Sequence, residues 1–393
     1  MAIDIDELLR KAVQLNASDL IIKAGNLPIL RVDDELLLMK GEKKLTGEDT
    51  KDIAFKVLSE RQQEIFKRKN DVDVSYSIPG VARFRCNCFI QRGTVGLVFR
   101  VIPSAVKDID ELYLPPIIKK IALEPRGLIL VTGATGSGKT TTLAAIINHI
   151  NMNKTDHIIT IEDPIEYLHR DRMSIINQRE VGSDTESFSV ALRAALRQNP
   201  DVILVGEMRD FETIQTALLA AETGHLVLST LHTIDAAETI NRIITVFPPY
   251  QQNQIRKQLA AVLRAILSQR LVPRADGRGR VPAVEVLIAT ETIRACIDDP
   301  EKTKDIPLIM ENSHTQYGMQ TFDQSLMGLY QSGLITYEDA LIRASRPDDF
   351  ALKVKGVQTL KDMWEFEETV PSKERGVYKG SLKKMTTDDA SQG

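Results

Sequence analysis

The chain has 393 residues, more than one ordinary hydrophobic core serves, so two folded units are expected. Its composition, 43% hydrophobic and 26% charged with a formal net charge of −4, is that of a globular protein and gives no overall field that would draw nucleic acid. No apolar run approaches the roughly 20 residues of a membrane span, and the three cysteines, with no CxxC pair, exclude a cysteine-rich zinc module and suit a reducing cytoplasm.

The start, MAIDIDELLRKAV, carries acids where a signal peptide carries a basic region, and reads as mature sequence. Residues 1–102 read as a first unit. Ile5, Leu8, Leu9, Ala12 and Val13 recur at helical spacing. In ARFRCNCF, Phe84, Cys86 and Cys88 fall on one face of a strand, and Arg83, Arg85 and Asn87 on the other. A proline-containing linker, 103–116, follows. From EPRGLILVTG onward short apolar runs alternate with helical segments, the pattern of a parallel α/β sheet. Strands are expected over 127–132, 157–161, 201–206 and 225–230. A helix is expected over 210–223, with Asp210 as N-cap and Gly224 as its stop. A longer one is expected over 250–271, with Ile255, Leu259, Val262, Leu263, Ile266 and Leu267 as its buried stripe. Thr321 with Gln324, and Thr336 with Asp339, read as helix-capping pairs. Residues 371–393 are polar and aperiodic and read as a disordered tail.

The run GATGSGKT matches G-x-x-x-x-G-K-[ST], between an apolar strand and a helix-like stretch over 141–150. Gly133, Ala134, Thr135, Gly136, Ser137, Gly138, Lys139, Thr140 and Thr141 are the nucleotide-binding candidates. Glycines let backbone N–H groups close on phosphate oxygens at a helix N-terminus, a lysine neutralises them, and the Thr140 hydroxyl suits Mg²⁺. NKTD, 153–156, resembles a guanine-reading loop but follows the phosphate loop too closely in the chain to be one, so adenine is the default base. Two acidic clusters close later strands: Glu162, Asp163 and Glu166 in TIEDPIE, and Glu207 in DVILVGE. Strand carboxyl ends face the ligand crevice of a parallel sheet. One carboxylate would polarise the attacking water and another would hold Mg²⁺. His225 and His232 bracket one apolar run, TGHLVLSTLHT. Metal ligation, base catalysis, phosphate sensing and simple strand-end packing are all open to them.

In order and spacing, GATGSGKT, TIEDPIEY, NQREVG, VGEMRDFETI and TGHLVLSTLHT resemble the signature blocks of the PilT/PilU type IV pilus retraction ATPases, within the secretion ATPase superfamily. ASDLIIKAG and PGVARFRCN resemble that family's N-terminal blocks, so the likeness spans residues 1–350. The resemblance implies a PAS-like α+β domain over 1–102 and a RecA-like P-loop ATPase domain with C-terminal helices over 117–370. It implies a homohexameric ring that hydrolyses ATP with Mg²⁺ to power pilus retraction and twitching motility. Its setting would be cytoplasmic, peripheral at the inner membrane through a pilus platform protein, with a paralogous retraction ATPase as a further partner and no nucleic acid. It makes Glu166 the general base and Glu207 the Walker B acid, with Thr140, Glu162, Asp163 and Glu207 about the metal. His232 becomes a sensor of the γ-phosphate. His225 stands as either a nucleotide-site residue or strand-end packing, and Arg83, Arg85 and Arg100 become candidates to complete a neighbouring subunit's site.

Pilus-assembly and type II secretion ATPases resemble the same core but carry a four-cysteine zinc insertion, which is lacking here; this favours retraction over those alternatives. A DNA translocase on the same core and a non-hydrolysing partner of a related motor are the remaining rivals. A stretch that reads AIRNLIRE in retraction motors is TIRACIDD here, Thr292–Asp299, and GMQTFDQSLMGLYQSGLITYEDAL looks closer to the PilU branch.

Overall fold

A computed structural model describes residues 3–32, 35–102 and 106–356. The expected tail over 371–393 and the first residues of the expected linker lie outside the described residues. The chain divides into two compact units. The first spans Met1–Ala105 and takes in Pro164–His169; the second spans Val106–Asp163 and continues from Arg170.

In the first unit α1 (Ile5–Gln14) starts at the Asp4 cap and buries Ile5, Leu8, Leu9 and Ala12, the stripe that the spacing predicts. Strands β1 (Asp19–Lys23), β2 (Ile29–Val32) and β3 (Glu35–Leu38) follow, then helices α2 (Gly47–Val57) and α3 (Glu60–Lys69), each opened by a capping box. Strands β4 (Asp71–Ile78), β5 (Ala82–Gln91) and β6 (Thr94–Ile102) complete an antiparallel sheet of order β3-β2-β1-β6-β5-β4. On β5 the expected alternation holds: Phe84, Cys86 and Cys88 are fully buried. Arg85 lies directly opposite Arg100 on β6. Like charges so placed repel. Asp73 at 3.7 Å from Arg85 and Asp19 at 3.0 Å from Arg100 offset that repulsion.

The second unit begins with α4 (Ile117–Ala122) and β7 (Gly127–Thr132), and then α5 (Lys139–Asn153), β8 (His157–Glu162), β9 (Ile175–Glu180) and α6 (Phe188–Ala195). Next come β10 (Val202–Val205), α7 (Phe211–Glu222), β11 (Leu226–Leu231), α8 (Ala236–Thr245) and α9 (Pro249–Val262). An antiparallel pair, β12 (Leu263–Pro273) and β13 (Arg280–Ile288), precedes α10 (Glu291–Asp298), α11 (Ile306–Asn312) and α12 (His314–Tyr317). Helices α13 (Phe322–Gln331), α14 (Tyr337–Arg343) and α15 (Pro347–Val354) close the described chain. The sheet runs β13-β12-β7-β11-β10-β8-β9, parallel except for β13 at its edge. Both faces are covered. Leu128, Leu130, Ile203, Val205 and Val227 pack towards α6–α10, whereas Ile129, Val131, Val202, Leu204 and Leu228 pack towards α4 and α5. Strands buried on two faces read as continuous apolar runs, which is why these strands could be found in sequence.

The expected helix over 250–271 is corrected. Helix α9 ends at Val262, and Leu263 opens β12. The run LRAILSQRLV carries apolar residues at spacings that suit either element. Its place between β7 and β13 decides, because as a strand it buries Leu263 and Ile266 on one face and Ala265 and Leu267 on the other.

Candidate functional site

Strand β7 ends at Thr132, and the next six residues turn back on themselves to start α5 at Lys139. Gly133, Gly136 and Gly138 have φ of +140°, +79° and +91°, the left-handed region that favours glycine. At Gly133 space forbids a side chain as well: a Cβ there would lie 2.5 Å from the Gln269 carbonyl oxygen and 2.6 Å from Ser137 Oγ. Ala134, Thr135 and Gly136 form the exposed tip, and Thr140 and Thr141 sit half-buried in the first turn of α5. Lys139 is buried, with Nζ donating to the carbonyls of Gly133 at 2.8 Å and Ala134 at 3.1 Å. An ammonium is thus held inside a ring of backbone at a helix N-terminus, an arrangement that attracts anions. Under the loop, Gln269 Nε2 donates to Thr142 Oγ1 at 2.8 Å, tying β12 to α5.

The parallel register brings other residues level with this loop. Thr132 pairs with Leu231 on β11 and with Ser268 on β12, so Gly133 and His232 leave their strands side by side, level with Gln269, which stays within β12. Beyond β11 lies β10, and two residues past its end is Glu207. His232 Nε2 lies 3.7 Å from Glu207 Oε2, and Arg209 Nη2 pairs with the same oxygen at 2.8 Å. The turn carrying Glu207 is fixed from below: Met208 N–H donates to the Thr230 carbonyl, and the Thr230 hydroxyl to the Gly206 carbonyl at 2.7 Å.

Glu162 closes β8, three strands from β7 and so about 15 Å away at ordinary strand spacing. It is buried and accepts from Thr160 Oγ1 at 2.6 Å and Gln178 Nε2 at 3.1 Å. Asp163 is exposed. No cluster of three or more histidine, cysteine or acidic side chains fit to hold a metal occurs among the described residues. The expected metal set of Thr140, Glu162, Asp163 and Glu207 is therefore not a preformed cage. Thr140 lies in α5, Glu162 and Asp163 at the end of β8, and Glu207 beyond β10.

His225 is not brought to the loop. It precedes β11, at the amino end of that strand, with Nδ1 2.9 Å from the Ala220 carbonyl at the end of α7. Six residues of strand, about 20 Å, separate it from His232. Of the two readings left open for it, strand-end packing is the one its contacts support. The NKTD run likewise ends α5 and enters β8 at the amino end, away from the level of Gly133.

The remaining candidates belong to the first unit. Arg83 is half-buried; Arg85 and Arg100 pair with Asp73 and Asp19. Glu166 is exposed in the segment Pro164–His169. Sequence reasoning missed Arg209, Gln178 and Gln269. Arg209 had a signal, a charge two residues beyond a strand-end acid. Gln178 lies inside β9, within the NQREVG block, and Gln269, inside β12, had none.

Residues 1–304 match the profile described as type II/IV secretion system protein. The chain belongs to that family. It is 45% identical over 347 residues to the Pseudomonas aeruginosa protein named "Type IV pilus retractation ATPase PilT", a match covering 88% of this chain and 100% of the relative. It is 44% identical to the "Type IV pilus ATPase PilU" of the same organism, covering 90% and 91%. A Neisseria gonorrhoeae "Twitching motility protein" is 45% identical, covering 89% and 93%. Among solved structures, that of the pilus retraction motor PilT with bound ADP superposes with a TM-score of 0.82 at 47% identity, covering 88% of this chain and 98% of the other. The Legionella pneumophila ATPase DotB superposes with a TM-score of 0.75 at 28% identity, covering 90% and 96%. The mixed α/β fold of this secretion family is thus the fold of the chain. No helix among the described residues is long and apolar enough to cross a membrane.

Proposed function

We propose that this chain is an ATP-hydrolysing motor that powers type IV pilus retraction. The observation that carries the reading is the row at one end of the sheet: a left-handed glycine loop with a buried lysine after β7, His232 after the neighbouring β11 and the Glu207 turn after β10 beyond it, with the His232 and Glu207 side chains 3.7 Å apart. Similarity to PilT over its full length gives the direction of movement. The loop suits a triphosphate. Gly133 has no room for a Cβ, and the N–H groups of Lys139 to Thr141 open a helix. Lys139 would exchange its two carbonyl partners for phosphate oxygens.

The Thr140 hydroxyl, in the first turn of α5, would hold Mg²⁺, with Glu207 acting through water, while Glu162 and Asp163 would act from the end of β8, three strands away. Bound there, it would neutralise charge building on the phosphates. Glu207 orients the attacking water, Glu166 accepts its proton, and His232 reads the terminal phosphate through a hydrogen bond. Arg83, Arg85 and Arg100 stabilise that phosphate from a neighbouring subunit.

The domain reading is a PAS-like unit over 1–102 and a RecA-like unit over 117–370, assembled as a homohexamer. The ring works in the cytoplasm, docked on an inner-membrane platform protein, with a PilU-like paralogue as a partner. Deleting the gene in its host tests this. Cells with excess surface pili and no twitching support the reading, whereas bald cells would overturn it in favour of pilus assembly.

A further inference from the structure

Glu285 is a carboxylate on an apolar strand, in the middle of β13, and the site described above does not use it. It is buried, and its Oε1 accepts two hydrogen bonds, from the Ala236 N–H at 2.8 Å and from Ser268 Oγ at 3.2 Å. Ala236 is the first residue of α8, and Ser268 pairs in register with Thr132, the last residue before the glycine loop. One oxygen therefore joins the strand beside the loop to the helix that follows His232.

The four residues from His232 to Asp235 have no slack of their own. Thr233 Oγ1 lies 2.6 Å from Thr239 Oγ1, which donates to the Asp235 carbonyl; Ile234 N–H donates to Glu238; and Asp235 caps α8 by accepting from Glu238 N–H. The turn and the start of α8 form one piece, and Glu285 fixes that piece to the sheet. The second carboxylate oxygen has no partner among the described residues. Glu285 also lines a cavity of about 380 Å³, walled further by Lys304, Met310, Glu311, Phe322 and Arg346.

We propose that Glu285 is a positioning residue for the reaction, holding the His232 turn at a fixed height beside the glycine loop. The proposal rests on the ATPase reading above. The ionised carboxylate makes the stronger bond to a helix N-terminal N–H. Burial raises the Glu285 carboxyl to about 7; the Ala236 N–H opposes this, Asp235 reinforces it, and Ser268 and Arg270 oppose it. Across the cavity Glu311 is paired with Arg346 and Lys353, and Asp323 accepts from the Ser345 and Arg346 N–H groups, while Lys304 completes the charged wall.

The test compares wild type with E285Q and E285A. Turnover by the wild type should rise as pH passes from 6 to 8. E285Q, which keeps the shape and loses the charge, should lack that rise and stay about tenfold lower at pH 8, the scale of one charge-assisted bond. KM for ATP should not change, since the glycine loop is untouched. Independently of activity, hydrogen exchange over residues 232–238 should quicken in E285A, while exchange over 133–140 stays as in wild type. E285Q with the wild-type pH profile and rate, or an E285A in which 232–238 remains fully protected, would overturn the proposal. A wild type that hydrolyses no ATP at any pH would defeat the functional reading instead, and the exchange arm would then decide the positioning role alone.

Discussion

Gly133 is constrained twice, by a φ of +140° and by the carbonyl of Gln269 standing where a Cβ would go. Alanine there must move backbone, so G133A should weaken nucleotide binding by about tenfold or more, given strain on the order of 1–3 kcal/mol. Calorimetric titration with ATP checks this, and unchanged affinity would show that the loop conformation is unrelated to binding. At this scale the site was largely legible. Each of Gly133, Glu207 and His232 follows an apolar strand, and the carboxyl ends of parallel strands gather on one side. What could not be read was which end of a strand a residue would serve. His225 and His232 lie seven residues apart in one run, yet they stand at opposite ends of β11. Glu285, an acid flanked by valines and alanine, gave no sign of which helix end it would reach.

Strand β12 shows a limit at the scale of elements. Leu263, Ile266 and Leu267 fit a helical stripe continuing that of α9, and nothing local forbids it. Long-range pairing settles the matter, because β12 bonds β7 along one edge and β13 along the other. Leu267 is fully buried within that arrangement. L267A should cost about 2–5 kcal/mol in unfolding free energy. A denaturant midpoint equal to wild type would mean that the strand does not pack as described. Local signals were dependable where they were chemical. Thr321 and Gln324 form the capping box that their spacing predicts, and Asp210 caps α7 through Thr213.

At the scale of the whole molecule, one buried acid gives stability a pH dependence. A carboxyl raised to about 7 in the folded chain, against 4.5 for the free group, makes the native state hold a proton that the unfolded state has released between those values. Its contribution to stability is full below 4.5 and is lost as pH rises through 7. E285Q removes the dependence, so the stability gained by E285Q over wild type should grow by up to about 3 kcal/mol between pH 4.5 and 8. Denaturant titrations of both proteins at the two pH values check it. A constant difference would mean that Glu285 is not held in a low-dielectric site.

The most direct measurement is ATP binding and turnover by wild type beside E207Q. The account predicts that both bind ATP with similar Kd and that E207Q loses turnover by about a hundredfold or more, as removal of a group acting on the attacking water should. Undiminished turnover in E207Q, or a wild-type chain that neither binds nor hydrolyses ATP, would contradict it.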